Sequence, residues 1–277
     1  MFYAKEHAPE TADPKRIAYA IHALLPFWSD RHVALVKGET CRAYLRYREG
    51  LGVGAGTIRR ELGCLQAALR HCQREGHITE IPMAWLPPRP PPKERWLTRS
   101  EAAALLRAAR AEPKARAHLS LFILIALYSG ARRTSILELR WTQNTEGGWV
   151  NLERGVIDFN PLRRAQTKKK RPVVQVPPRL LRFLRYARER SSTDWVIAVD
   201  GQPVRSVKRS FATAARKAGL DDIHIHDLRR TAASWMAQGS VPTGKAAKYL
   251  GMSEETFERV YAKHDPHRFD EVLEVFK

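Results

Sequence analysis

Four residues in the second half of the sequence form a set that suits chemistry at a phosphate group: Arg132, His226, Arg229 and Tyr261. Arg132 follows a glycine turn before a predicted helix, where backbone N–H groups and the helix dipole would help its guanidinium bind an oxyanion. His226 and Arg229 are three residues apart and share one face of a predicted helix. Such a pair can move a proton and stabilise charge. Tyr261 adds a hydroxyl group, although periodicity alone does not distinguish it from a packing tyrosine.

A run of basic residues between two predicted strands is the next feature. The segments 155–159 and 172–176 are short and rich in β-branched residues, which predicts a hairpin or small sheet with a cationic turn. Such a turn suits contacts with phosphates, although a charge run can also be a solvated surface, and only one lysine can act as a proton donor. The basic residues are Arg163, Arg164, Lys168, Lys169, Lys170 and Arg171.

The charge of the chain favours a nucleic-acid partner. Its 277 residues contain 48 Lys and Arg against 29 Asp and Glu, giving a net charge of +19 and a pI near 10.3. Residues 1–92 hold 13 basic and 9 acidic residues, whereas residues 93–277 hold 35 and 20. The excess therefore lies mainly in the second part, as expected for phosphate contacts rather than for an ordinary basic protein. The sequence contains no basic amphipathic helix with bulky apolar anchors, so nothing in it indicates binding to a membrane surface.

Other classes of site have no sequence support. There is no P-loop, no HExxH motif, no paired-carboxylate magnesium signature and no Rossmann glycine pattern, so we expect neither cofactor nor metal. Cys41, Cys64 and Cys72 lack metal-ligand spacing and are interpreted as reduced thiols. The most apolar run, 119–128, is too short to span a bilayer and predicts a buried helix. The N-terminus lacks the apolar segment of a secretory signal, so we expect a cytoplasmic protein.

A proline-rich segment predicts two domains. Six of the twelve residues from Pro82 to Lys93 are proline, which favours a stiff, extended linker. The predicted organisation is a helical DNA-binding domain over 1–81, a linker over 82–94, and a catalytic domain with a C-terminal tail over 95–277. Helices are predicted in the first domain over Lys15–Trp28, Thr40–Glu49 and Thr57–Glu75, the last capped by Thr57.

The second domain is predicted to be mainly helical around one small sheet. Thr98 and Glu101 have the spacing of a capping box, and Gly130 is a predicted helix C-cap. The fold class is therefore mainly α with a small antiparallel β-sheet, a helical domain being followed by a mixed α/β domain. Further helices are predicted over Arg179–Arg190, Val204–Ala218, His226–Gln238 and from Glu254 onward.

Taken in order, these motifs resemble those of the tyrosine recombinases, the phage-integrase family. The resemblance follows the catalytic domain of that family throughout 95–265, and the segment from Thr57 to Gly76 is similar to its helical core-binding domain. His-Asp-Leu-Arg-Arg-Thr is the most specific motif, and the basic hairpin is the least. The matching segments are Tyr128–Arg132, Ile136–Trp141, His226–Thr231, Tyr249–Gly251 and Val260–Tyr261.

The resemblance implies a role for each site residue. Arg132 and Arg229 would bind the scissile phosphate and stabilise the pentacoordinate transition state, while His226 would assist proton transfer. A hairpin lysine, Lys169 in preference to Lys168, would protonate the departing 5′-oxygen. Tyr261 would attack phosphorus and form a 3′-phosphotyrosine, which conserves the phosphodiester energy without ATP or metal.

The same resemblance implies a site-specific recombinase that integrates or excises a mobile element. Its expected partners are double-stranded DNA attachment sites, and we expect a homotetramer on DNA, with accessory DNA-bending or directionality factors. It also implies a bacterial host and association with the nucleoid. Three alternatives remain: a DNA-binding protein of this fold that no longer cuts, a type IB topoisomerase, and a basic scaffold or RNA-binding protein.

Two positions depart from the family pattern. Met252 occupies the position, nine residues before the tyrosine, where the family usually has His or Trp. A thioether cannot donate a hydrogen bond, so one phosphate contact is lost or replaced there, unless the residue has a packing role like that of Trp. Ser135 stands where the family tends to place an acid, which alters the support expected for Arg132.

Overall fold

The computed structural model describes residues 2–11, 13–91, 93–161, 171–267, 270 and 275. The chain divides into two compact units, Met1–Lys93 and Glu94–Lys277. The predicted hairpin lysines, Lys168 and Lys169, lie outside the described residues, as does most of the predicted tail. Each unit has its own hydrophobic core, and the division falls at the end of the proline-rich segment.

The first unit is helical. The predicted cap at Thr57 is wrong, because the last helix begins two residues earlier at Ala55 and its N-cap is Gly54. The Thr57 N–H group donates to the Gly54 carbonyl at 2.9 Å, which places Thr57 inside the first turn. The helices are α1 (Phe2–Glu6), α2 (Pro14–Trp28), α3 (Gly38–Gly50) and α4 (Ala55–Arg74), with 3₁₀ turns at Ala8–Glu10 and Val33–Leu35.

The start of the proline-rich segment belongs to the core of the first unit. Ala84 is buried, and its N–H group donates to Gln66 Oε1 of α4 at 2.5 Å. Arg59, also on α4, donates to the Pro87 carbonyl. These contacts give the segment a packed position along α4, which the proline content alone does not predict.

The second unit is built around one buried helix, α6. Ten residues of α6 are buried, and the helix packs against α5, α8 and α10. A helix that is apolar on all sides needs this central position. None of the helices in the described part of the chain is long and apolar enough to cross a membrane. The helices are α5 (Arg99–Ala111), α6 (Arg116–Ser129), α7 (Arg133–Leu137), α8 (Pro178–Glu189), α9 (Lys208–Lys217), α10 (Ile225–Gln238), α11 (Thr243–Leu250) and α12 (Glu254–Val260), with a 3₁₀ turn at Ala262–His264.

Two small antiparallel sheets complete the second unit. In the first, β2 lies between β1 and β3, with Ile157 opposite both Val150 and Val174. The prediction of one sheet was wrong, because β4 and β5 form a second hairpin around Asp200 and Gly201, and strands of two residues leave no periodic signal. The strands are β1 (Trp149–Asn151), β2 (Val156–Asp158), β3 (Val173–Gln175), β4 (Ala198–Val199) and β5 (Gln202–Pro203).

The predicted fold class, mainly α with a small antiparallel sheet, is confirmed, and the β4–β5 hairpin adds a second sheet to it. The capping box of Thr98 and Glu101 and the C-cap at Gly130 are confirmed. The predicted helix over 204–218 begins later, at Lys208, because Val204 extends the pairing of the second hairpin, its N–H group donating to Ile197 O at 3.0 Å.

Candidate active site

The turn that follows α6 fixes the position of Arg132. Gly130 has a left-handed backbone, with φ of +60°, and a Cβ atom there would overlap the Leu250 side chain. Ser129 supports the turn, because its hydroxyl donates to the Ile125 carbonyl at 2.6 Å and accepts from Ala131 N at 3.2 Å. Only glycine meets both the conformational and the steric requirement at this point. The chain then leaves in an extended conformation, and Arg132 becomes the N-cap of α7.

The first turn of α10 holds a buried carboxylate. Asp227 is inaccessible to solvent; it accepts from His224 N at 2.9 Å and from Arg230 Nη1 at 2.5 Å. An acid at this position satisfies a backbone donor of the helix start. Thr231 continues the anchoring, since its hydroxyl accepts from Leu97 N at 2.9 Å. The helix that carries His226 and Arg229 is thereby fixed at its N-terminus.

Arg132 and Arg229 each bind the carbonyl of a left-handed glycine. Arg229 Nη1 donates to Gly130 O at 2.6 Å, and Arg132 Nη2 donates to Gly251 O at 3.4 Å. Gly251 ends α11 with φ of +61°. Two tight helix ends therefore orient the two guanidinium groups that the sequence analysis singled out.

The two arginines lie close enough to repel each other. Burial lowers the pKa of Arg229 to about 10, with a further contribution from Arg132, while Tyr261 opposes the shift. Burial also lowers the pKa of Arg132, and the charge of Arg171 lowers it further. Arg229 is only 7% exposed. Bringing such cations together costs free energy, and a bound anion would recover part of that cost.

Tyr261 lies at the end of α12, where its side chain is 8% exposed and its ring is 5.7 Å from that of Phe257. Burial raises the pKa of its phenol, and the charges of Arg229 and Arg230 offset this rise in part. The hydroxyl therefore keeps its proton at neutral pH, and its use as a nucleophile requires a base nearby.

His226 completes the group. The residue is exposed to solvent, but the protein around it removes enough water to lower the pKa of the imidazole. The charges of Arg230 and Arg229 lower that pKa further, against a smaller opposing contribution from Asp227. The ring is therefore neutral at pH 7 and can accept a proton.

Met252 and Ser135 lie in packed surroundings. Met252 is partly buried against the small core of α10, α11 and α12, which contains Phe257 and Tyr261. Ser135 is 5% exposed within α7. The thioether thus contributes apolar contact beside the tyrosine, which is the packing alternative considered for this position.

Two residues to which the sequence gave no role, Arg230 and Tyr249, support the site. Arg230 acts on the pKa of both His226 and Tyr261, and the Asp227–Arg230 spacing of three was the available signal. Tyr249 spans two elements, since its hydroxyl lies 3.1 Å from Tyr128 O and 2.9 Å from Gln175 O. The available signal for Tyr249 was its place in the matching segment Tyr249–Gly251, which gave no role to its hydroxyl.

Arg171, the first described residue before β3, lies close to Arg132. It pairs with Glu138 at 3.3 Å and acts on the pKa of Arg132. The structure thus brings Arg132, His226, Arg229 and Tyr261 together, while the predicted lysines lie outside the described residues. Among the described residues, no cluster of three or more His, Cys, Asp or Glu side chains is arranged to hold a metal ion.

Comparison with known proteins gives a family match and a curated relative. Residues 95–268 match the model of the phage integrase family. The integrase of Salmonella phage P22 is 27% identical over 226 residues, which cover 76% of this chain and 54% of that protein. The chain therefore spans about half the length of this curated relative.

Solved structures share the fold at low identity. A Tn1549 transposon integrase in complex with a circular intermediate DNA superposes with a TM-score of 0.77 at 13% identity, covering 100% of this chain and 98% of the other. A lambda integrase dimer bound to a COC′ core site superposes with a TM-score of 0.70 at 18% identity, covering 94% of this chain and 75% of the other. A lambda integrase tetramer bound to a Holliday junction superposes with a TM-score of 0.69 at 20% identity, covering 92% of this chain and 74% of the other. On the family match over most of the second unit, the chain belongs to the phage integrase family.

Proposed function

We propose that this protein is a site-specific DNA recombinase that cuts and rejoins DNA through a covalent bond to Tyr261. One observation carries the proposal: a buried tyrosine lies within electrostatic reach of the buried Arg229, which in turn lies beside Arg132. A phosphodiester placed between them would meet two guanidinium groups and a nucleophile at once. Preorganised charge of this kind is often the largest contribution to phosphoryl transfer.

The proposed reaction conserves the number of phosphodiester bonds. Neutral His226 accepts the phenolic proton as Tyr261 Oη bonds to phosphorus and the bond to the 5′-oxygen breaks. A hairpin lysine, Lys169 or Lys168, gives the departing oxygen its proton. Arg132 and Arg229 hold the non-bridging oxygens, whose negative charge grows in the transition state. Rejoining is the reverse attack by a 5′-hydroxyl, so the reaction needs no separate energy source.

The proposed partner is double-stranded DNA. The net charge of +19 supports a large electrostatic contribution to that binding. The first unit would serve as the core-binding domain, with the proline-rich segment as its connection to the second. Because the lambda relative has been solved as a tetramer on a Holliday junction, we propose a tetramer on DNA here as well. Action in the bacterial cytoplasm, near the nucleoid and with accessory factors, belongs to the same proposal.

A covalent trapping experiment tests the reaction. The protein is incubated with a pool of nicked duplexes that have randomised cores, so that cleavage beside the nick releases a short fragment and traps the adduct. Denaturing gels then reveal the protein–DNA adduct, and sequencing of several selection rounds gives the preferred site. Tyr261→Phe is expected to abolish the adduct, whereas Tyr19→Phe, a matched change at an exposed tyrosine, keeps it.

The outcomes separate the alternatives. DNA binding without any adduct would make the protein a binding module of this fold and contradict the proposal. Relaxation of supercoiled DNA without exchange between two sites would favour the topoisomerase alternative. Exchange of strands between two copies of the selected site is the result that the proposal requires.

A further inference from the structure

A large cleft lies beside the N-terminal part of α6, whose other end leads to Arg132. It has a volume of about 1200 Å³ and is lined by α6, α8 and the second hairpin. Leu124, the last residue of α6 that lines it, precedes Ser129 by five residues, so about 7 Å of helix separates the cleft from the turn at the active site. The cleft is therefore a separate feature of the second unit.

The lining of the cleft is strongly positive. Arg110, Arg116, Arg179, Arg182 and Arg190 all contribute, against the single acid Asp200. Arg190 pairs with Glu189 at 3.6 Å. Within the described part of the chain, the other four arginines form no ion pair. Four uncompensated guanidinium groups around one concavity attract an anionic ligand.

The floor of the cleft contains polar atoms without partners. Ser120 is 8% exposed and Trp141 is 6% exposed, and both line the cleft. Neither Ser120 Oγ nor Trp141 Nε1 has a hydrogen-bond partner among the described residues, and the same holds for His118 Nδ1. A buried donor left without an acceptor costs free energy, and the indole N–H group is only a donor. A ligand that brings acceptor oxygens to this part of α6 would supply the partners that these buried donors lack.

The shape of the cleft favours an elongated ligand. One face of α8 forms a wall on which Arg179, Arg182 and Arg190 alternate with Phe183 and Tyr186. Arg179 and Arg190 are eleven residues apart, or about 16 Å along a helix. About five residues of extended peptide span that length. Apolar surface between the arginines also suits apolar side chains on the ligand.

We propose that this cleft binds an acidic peptide segment of a partner protein, with glutamate or aspartate side chains that reach the floor and an apolar side chain on the α8 wall. Carboxylates match the guanidinium groups in geometry as well as in charge. A single-stranded nucleic acid suits the cleft less well, because its bases would need open aromatic faces to stack on, whereas an apolar side chain can pack against the ring edges and Ala187 of the same wall. Arg190 lies 3.6 Å above the Tyr186 ring, and Arg110 lies 5.7 Å from that of Phe183.

The test uses the purified full chain and labelled hexapeptides. Each peptide carries three glutamates and one leucine, phenylalanine or tyrosine, with the apolar residue placed at each position in turn. A matched set has glutamine in place of glutamate. Binding is followed by fluorescence anisotropy, with unlabelled glutarate and a six-residue oligothymidylate as competitors.

Two variants and their controls locate the site. Arg182→Gln in the cleft is compared with Arg185→Gln, an exposed arginine of the same helix outside the lining. Arg182→Gln is expected to weaken the best acidic peptide about tenfold, and Arg185→Gln to leave its affinity within about twofold. Ser120→Ala is expected to weaken that peptide by about fivefold and to raise the melting temperature of the free protein by about 2–4 °C, because it removes a buried hydroxyl without a partner.

Each other outcome overturns the proposal. If no acidic peptide binds more tightly than its glutamine counterpart, the cleft is not a peptide site. Equal losses in the Arg182 and Arg185 variants would indicate general attraction to a basic protein. Displacement by glutarate at the affinity of the peptide itself would indicate a small-anion site, and preferred binding of the oligonucleotide would indicate a nucleic-acid site. Covalent trapping of DNA by Tyr261 is measured separately, so the failure of one proposal can be distinguished from the failure of the other.

Discussion

Each unit buries a tyrosine beside an arginine, but the two arrangements differ in how the positive charge is balanced. In the first unit, Arg48 donates to both oxygens of Glu61 at 3.0 and 2.8 Å, and the Tyr44 hydroxyl donates to Glu61 at 2.7 Å. In the second unit, Arg229 donates to a backbone carbonyl, lies close to Arg132 and acts on the pKa of Tyr261. A carboxylate completes the first arrangement, whereas an anionic ligand would complete the second.

The direction of the pKa shifts expresses the same difference. Hydrogen bonding to Glu61 raises the pKa of Arg48, as in a stable ion pair, whereas burial lowers the pKa of Arg229 to about 10. The first arrangement favours the charged arginine in the folded protein, and the second disfavours it. A buried cation without a carboxylate is stabilising only when its ligand arrives, so the difference separates a structural contact from a binding site.

Removing the guanidinium in the second unit should have the largest effect on activity. Arg229→Gln takes away charge that would stabilise the transition state, and we expect a loss of about 10²–10³ in the rate of adduct formation. Single-turnover cleavage of the selected nicked duplex measures it. Arg48→Gln is the matched change in the first unit, and its cleavage rate per folded molecule should remain within about threefold of wild type. An Arg229→Gln enzyme of normal rate would contradict the account.

Removing the carboxylate in the first unit should instead affect stability. Glu61→Gln leaves the half-buried Arg48 and the buried Tyr44 without their anionic partner, and we expect a loss of about 3 kcal/mol in the free energy of unfolding. Urea denaturation followed by tryptophan fluorescence measures the loss. Glu49→Gln, at an exposed acid of the same unit, should change the unfolding midpoint very little. Equal effects from the two variants would show that the buried pair is not stabilising.

Introducing a hydrogen-bond donor beside Tyr261 should have an intermediate effect on the cleavage rate. Met252→His supplies a ring N–H group where a thioether now packs against the core of Phe257 and Tyr261, and we expect cleavage to accelerate by about tenfold. Met252→Leu keeps the apolar contact without a donor and should leave the rate near wild type. If the leucine variant gains as much as the histidine variant, packing rather than hydrogen bonding limits the site.

Protonation of His226 should have the smallest effect on the cleavage rate. Its pKa in the folded protein is lowered, so the neutral base persists at pH 7 and is lost only as the pH falls through a value below 6.5. The cleavage rate should therefore fall on the acid side of pH 6.5 and stay level just above it. A rate profile from pH 5 to pH 8 measures this, and His226→Gln should remove the acid limb. An unchanged limb in that variant would assign the titration to another group.

The residue types of the candidate site could be predicted from the sequence, but the backbone contacts that orient these residues could not. Arg132, His226, Arg229 and Tyr261 are recognisable because their order and spacing match a family motif. The carbonyls that orient the arginines belong to Gly130 and Gly251, and such backbone contacts depend on how α6, α10 and α11 pack. They leave no pattern in residue types.

Some elements of the fold could likewise be predicted from the sequence and others could not. Long periodic segments such as α4 and α10 were predicted to within a few residues, because an apolar stripe determines them. The two-residue strands β4 and β5 were missed, since their pairing depends on a turn at Asp200 and Gly201 rather than on alternation. The start of α4 was misplaced because Gly54, which has no side chain to act as a cap, precedes the helix.

Mapping the covalent link between protein and DNA identifies the residue that attacks the phosphodiester. The trapped adduct is digested with nuclease and protease, and mass spectrometry locates the residue that carries the remaining nucleotide. We expect a 3′-phosphodiester on Tyr261, in a peptide that includes the end of α12. A nucleotide on any other residue, or a free 3′-phosphate with no link to the protein, would contradict it.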